Sequence, residues 1–152
     1  MPVNEENKWE ALRPPVLMSA EDHTRLAALA RVTVRRNPFV ARLLMEETDR
    51  AEVVPAGQMP PGVVTVGSVV EFHDAATGGT RRVQLVLPSE ADITEGRISV
   101  LSVVGAGLVG LSQGQSIDWP TQDGRLRRLT VLRVETPPFS MKDGAGGAAA
   151  FT

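Results

Sequence analysis

The chain has no cysteine and no tyrosine, and aromatic residues fill only 4% of its 152 positions. Without cysteine there is no disulfide, no cysteine-zinc site and no thiol nucleophile. This suits a cytoplasmic location. With so few aromatics, the core falls to Val, Leu, Ile and Ala. No segment approaches the roughly 18 consecutive apolar residues of a membrane span. The opening residues 1–8 lack the apolar stretch of a signal peptide, so no membrane partner is expected. The formal net charge of −2 gives no global attraction for nucleic acid. Hydrophobic content of 42% with 22% charge is that of a soluble globular chain, long enough for one ordinary domain or for a small domain plus an appendage.

Residues 1–18 are mixed polar and proline-containing, and read as an N-terminal tail with Trp9 and Leu12 as docking points. Ser19 then stands before Ala20-Glu21-Asp22 as an N-cap with acid in the first turn. Leu26, Leu29 and Ala30 follow at helical spacing. Val32-Thr33-Val34 lowers helix propensity and ends the helix. Asn37-Pro38 starts a second one, with Phe39, Val40, Leu43 and Leu44 along one side. Residues 19–53 therefore form a short antiparallel α-hairpin.

The proline- and glycine-rich stretch from Val53 to Gly62 reads as a linker. Beyond it, residues 54–138 form a domain of short strands. Val69–His73 turns through Thr77-Gly-Gly-Thr80 into Arg82–Leu87. A third strand covers Ile98–Leu101, a fourth Ser116–Trp119 and a last Leu126–Glu135. Strands with one short helix among them argue for an α+β fold with an antiparallel sheet. Pro137-Pro138 ends the domain, and 139–152 is a small-residue flexible tail.

The search for chemistry turns on Gly105-Ala-Gly-Leu-Val-Gly110, which spells the G-x-G-x-x-G of dinucleotide sites behind a β-type run. Such a site needs a long helix whose N-terminus holds the phosphate. Here Gly110 and Gly114 cut the helical stretch short. No acidic residue stands at the end of a second strand, since Asp123 lies in a turn. The glycines read instead as a tight strand-to-helix corner. A small nucleotide-binding protein or enzyme using the Gly105–Gly110 turn is the alternative. His23 and His73 have no evident partners for a triad or a metal. Glu46, Glu47 and Asp49 lack EF-hand spacing and read as a solvated helix face. The basic clusters Arg31, Arg35, Arg36 and Arg125, Arg127, Arg128 suit phosphates or an acidic protein face. No cofactor, metal or small-molecule substrate is expected, and a binding module is favoured over an enzyme.

Ile98-Ser-Val-Leu-Ser-Val-Val-Gly-Ala-Gly-Leu-Val-Gly110 resembles the I-S-V-x-S-P-hydrophobic-x-x-x-L-hydrophobic-G segment of bacterial Gre transcription factors. Val66–Phe72 is similar to the first strand of their C-terminal domain, Ser89–Asp92 to their D-E-A-D loop, and Gly114–Ile117, Gly124 and Val131–Glu135 to their closing hairpin. Within that superfamily, Met59-Pro-Pro-Gly-Val-Val-Thr65, Ala106 and Gly114-Gln-Ser-Ile-Asp-Trp119 resemble the regulator of nucleoside diphosphate kinase family. The resemblance implies an FKBP-like domain, a curved antiparallel sheet around one short helix. It also implies docking on RNA polymerase near the secondary channel, in competition with Gre factors, with at most weak direct contact with nucleic acid.

By match to the S-P turn of that family, the polymerase-docking residues are Leu101, Ser102 and Val103, with Asp92 in the neighbouring loop. Val103 replaces the proline, and Leu101 replaces a polar residue. Strand alternation puts Leu101 and Val103 on one side, where docking and core filling are both open readings. Gre factors reach in with a long arm whose acidic tip holds catalytic Mg²⁺. Helices of 13 to 15 residues reach only ~20 Å, and the tip here is basic. Docking without transcript cleavage is the expectation. An FKBP-like fold raises prolyl isomerase activity too, but the aromatic-poor sheet cannot easily line such a pocket.

Overall fold

The computed structural model describes residues 12–55 and 57–135. Trp9, the prolines at 137 and 138 and the tail from 139 lie outside them.

The chain enters through β1 (Leu17–Ser19) and passes directly into α1 (Ala20–Thr33). The Ser19 hydroxyl accepts a hydrogen bond from the Asp22 amide at 3.1 Å, closing the cap that the sequence signals. Thr33 ends the helix, and its carbonyl accepts from the amides of Arg36 and Asn37. Asn37 caps α2 (Pro38–Arg50) by accepting from Val40, with Pro38 at the first helical position. Leu26 and Ala30 of α1 and Val40, Ala41, Leu43 and Leu44 of α2 are buried.

Two features depart from the expected tail and linker. Residues 12–18 are a packed strap, and β2 (Glu52–Val54) pairs with β1 in parallel register, Leu17 beside Glu52. Val16 and Met18 are each only 1% exposed. The segment alternates Val16-Leu17-Met18 between core and surface, as a half-buried strand does. Arg13 and Arg50 clamp the strap to α2 through Glu47, which is wholly buried. Arg50 also donates to the Pro14 carbonyl at 2.7 Å. Glu47 is thus an ion-pair hub, not part of a solvated face.

The second unit is a five-stranded sheet. Its strands are β3 (Val69–Asp74), β4 (Gly79–Val86), β5 (Arg97–Ser99), β6 (Ser116–Pro120) and β7 (Leu126–Glu135), in the order β5-β4-β3-β7-β6. Neighbours run antiparallel except β5, which pairs parallel to β4. The reversal follows from the connection. Two 3-10 turns, Pro88–Glu90 and Ile93–Glu95, carry the chain around to restart beside Gln84. A bulge where β3 meets β7, between Glu71 and Phe72, adds twist and curls the sheet.

The concave face is the core. Val70, Phe72, Val83, Leu85, Ile117, Trp119, Leu129 and Val131 are buried there against α3 (Val103–Leu108). Aliphatics do fill most of this volume, but Trp119 and Phe72 are its largest buried side chains. The hairpin shares the same cluster through Leu26 and Leu44. A buried carboxylate also links the units: Asp22 accepts from the Val66 amide at 3.1 Å and from Arg25 at 2.8 Å.

Candidate functional site

The glycine motif occupies a different place from the one its spacing suggested. The strand ends at Ser99, the corner is Val100–Ser102, and Gly105 and Gly107 lie inside α3. A side-chain carbon on Gly105 would collide with the Ser99 carbonyl oxygen. One on Gly107 would sit 2.7 Å from the Trp119 ring. Gly110, at φ +88°, makes the turn out of the helix against Val16. These glycines are needed for close approach of backbone to backbone and ring. No space remains there for a pyrophosphate, and a six-residue helix is too short to hold one. The nucleotide-site alternative therefore loses its structural basis.

The corner itself is tightly wired. Ser102 caps α3: its hydroxyl accepts from the Gly105 amide at 3.0 Å and donates to the Ser99 carbonyl at 2.7 Å. The Leu101 amide donates to the Ser99 hydroxyl at 2.9 Å. Ser102 is therefore a scaffold whose own polar atoms are spent. Leu101 and Val103 lie beyond the strand, so alternation does not place them. Both are half-buried, packed at the edge of the core with part of each side chain open to solvent. Each of the two side chains thus packs on the core and keeps an open part.

Trp119 holds this corner from beneath, and the sequence reading missed it. Its ring nitrogen donates to the Val103 carbonyl at 2.6 Å, and its ring is fully buried. The Arg13 guanidinium lies 5.9 Å from the ring centre, tying the strap to the same point. The Trp in Gly114-Gln-Ser-Ile-Asp-Trp119 was the available signal.

Asp92 lies at the other end of β5. It caps the second 3-10 turn, accepting from the Thr94 hydroxyl at 2.6 Å and the Thr94 amide at 3.1 Å. Its backbone bridges to Arg97. The Thr94 hydroxyl, then the Thr94 amide and Arg97, hold its carboxyl below the usual aspartate range. Three strand residues at ~3.3 Å each separate it from the corner by about 10 Å. Asp92 and Arg97 line one wall of an open polar groove of about 760 Å³ whose other wall includes Arg25, Val66 and Gln84. An apolar groove of about 500 Å³ adjoins it, between Ala28, Leu29 and Val32 of α1 and Leu87-Pro88.

The remaining polar candidates do not converge. The His23 imidazole meets the Thr48 carbonyl at 3.0 Å and ties the two hairpin helices together. His73 is half-buried on β3 between Thr80 and Thr130 of the neighbouring strands. Among the described residues no cluster of three His, Asp or Glu side chains is placed to hold a metal ion, and no helix is long and apolar enough to cross a membrane. At the β6–β7 turn, Arg128 binds Asp118, Arg127 leans on buried Asp74, and Arg125 lies beside Asp123. That cluster is largely neutralised.

A curled sheet on one short capped helix, preceded by an antiparallel α-hairpin, defines a Gre-type transcription factor. Residues 59–136 match the family model of the transcription elongation factor GreA/GreB C-terminal domain, and residues 14–54 match that of the Rnk N-terminus. The chain belongs to the regulator of nucleoside diphosphate kinase family. It is 33% identical over 131 residues to the regulator of nucleoside diphosphate kinase of Escherichia coli K12, spanning 86% of this chain and 96% of that protein. It is 34% identical over 91 residues to the transcription elongation factor GreA of Syntrophobacter fumaroxidans, 60% of this chain and 58% of that factor. Among solved structures, a transcription elongation factor GreA/GreB from Nitrosomonas europaea superimposes with a TM-score of 0.61 at 34% identity, over 78% of this chain and 98% of that one. These relatives are named as regulators and transcription factors, not as enzymes.

Proposed function

We propose that the chain is a transcription regulator that docks on RNA polymerase near the secondary channel and competes there with Gre-type factors, without supporting transcript cleavage. The observation that carries this reading is the hairpin. Its helices are 14 and 13 residues long, which at 1.5 Å per residue is a reach of about 20 Å. Charge is segregated along it. Glu21, Asp22, Glu46, Glu47 and Asp49 all lie at the base, and exposed Arg31, Arg35 and Arg36 surround the tip. Mg²⁺ takes oxygen ligands, usually carboxylates, and a guanidinium-rich tip repels it. Such an arm contributes docking but no metal-dependent chemistry.

In this reading Leu101 and Val103 supply the apolar contact at the corner, held by Ser102 and Trp119, with Asp92 contributing from the loop. Direct contact with nucleic acid plays at most a minor part. The test is a pull-down with core polymerase, competed by a Gre factor. Retention that falls as the competitor rises supports the proposal, and absence of retention at micromolar concentration sinks it.

A further inference from the structure

The hairpin tip is a strongly charged surface that neither the core nor the corner uses. From Thr24 to Met45 the chain carries five arginines and no Asp, Glu or Lys. Arg25 is paired with Asp22. Arg31, Arg35, Arg36 and Arg42 are exposed and form no ion pair among the described residues. Among them Val32 is 77% exposed and Val34 41%. The buried side of the hairpin is complete without these side chains. A lone exposed valine needs no explanation. Two beside a set of unpaired arginines have the composition of a protein interface, where arginine is enriched and lysine depleted around an apolar centre.

We infer that the tip is a docking surface for a protein face that presents carboxylates around a shallow apolar patch. The inference rests on the polymerase-docking reading and assigns that face to the polymerase. A polynucleotide fits the tip less well. Single strands are held by aromatic side chains on which bases stack, and among the described residues the one aromatic near the tip, Phe39, is packed against the core. Arginine forks fit carboxylates and phosphates alike with two parallel hydrogen bonds, so it is the exposed Val32 and Val34 beside them that favour a protein face. Unpaired guanidiniums at the end of an arm also steer the first encounter, so their contribution falls mainly on association rate and its salt dependence.

The test uses the full chain and a variant with Arg31→Glu, Arg35→Glu and Arg36→Glu, with Val32→Ser as a second variant. None of these side chains is buried, so circular dichroism and thermal unfolding are expected to match the wild type. Binding kinetics to immobilised core polymerase are measured at low and physiological salt, and a labelled single-stranded RNA is titrated in parallel. The inference predicts that the triple variant associates about tenfold more slowly than wild type, with most of the salt dependence gone. Val32→Ser is expected to speed dissociation with association unchanged. A triple variant that binds the polymerase at the wild-type rate and salt slope overturns the inference and leaves the functional reading standing. Tip-dependent binding of the RNA, with polymerase association unaltered, also overturns it. Failure of the wild type to bind the polymerase at all removes the functional reading and the inference with it.

Discussion

Gly105 lies inside a helix, where alanine ordinarily stabilises by about 1 kcal/mol. Here the added methyl would strike the Ser99 carbonyl, so the sign inverts. Gly105→Ala is expected to destabilise by about 1–3 kcal/mol, the usual cost of overpacking. Gly79→Ala is the control: it meets nothing nearer than 3.8 Å and has no positive φ, and urea denaturation should leave it close to wild type. Val103→Pro has the opposite expectation. Val103 is the first residue of α3, where a missing amide is tolerated, and Ser102 already holds ψ at 158°, as a residue before proline prefers. The variant should be neutral or more stable by up to about 1 kcal/mol. The departure from the Ser-Pro spelling therefore changes the chemistry of the corner without changing its shape.

Asp118 gives a pH dependence. Its carboxyl is held below the usual range chiefly by the hydrogen bond from Arg128, helped by the Leu12 amide and opposed by partial burial. A folded-state pKa below the unfolded one contributes stability that is present above about pH 4 and lost as pH falls through the folded value. Asp118→Asn should therefore flatten the acid limb of the stability-pH curve, measured by urea midpoints from neutral pH downward. An acid limb as steep as wild type would contradict this role.

Among the elements, the strap has the largest unforeseen role. Met18 is fully buried, and Met18→Ala should cost about 2–5 kcal/mol in equilibrium unfolding. The sequence hid this element for physical reasons. Three apolar residues after Pro14-Pro15 are too few for a period to show. The partner strand Glu52–Val54 lies beyond both hairpin helices, so the pairing is non-local. The hairpin was legible because its signals are local: Ser19, Asn37 and Pro38 mark ends that the hydrogen bonds then realise. The parallel setting of β5 was not legible, because strand direction is decided by the path of the loop from Leu87 to Gly96. The glycine motif, read as a strand-to-helix corner, was placed too early, since its first two glycines are in the helix and not in the turn. What the Ser-Val-Val stretch could not reveal is Trp119, whose hydrogen bond to Val103 fixes the corner from another strand.

At the scale of the molecule, one core joins hairpin and sheet; Asp22, through Val66, and Trp119, through Arg13, secure the junction, and Glu47 fastens the strap to α2. The arm is thus held in a defined direction relative to the corner, as the proposed docking through both would require. If the corner docks as proposed, Leu101→Asp should weaken polymerase binding by about thirtyfold or more, the scale of an interface anchor, with the urea midpoint showing whether the fold is intact. In a backtracked elongation complex with Mg²⁺, the protein should leave transcript-cleavage rates at the level seen without factor. The most direct test of the central claim is displacement of a fluorescent Gre factor from core RNA polymerase. Progressive, saturable displacement by the wild-type chain, with no cleavage in the same reactions, is the predicted result. A Gre signal unchanged up to micromolar concentration would contradict it.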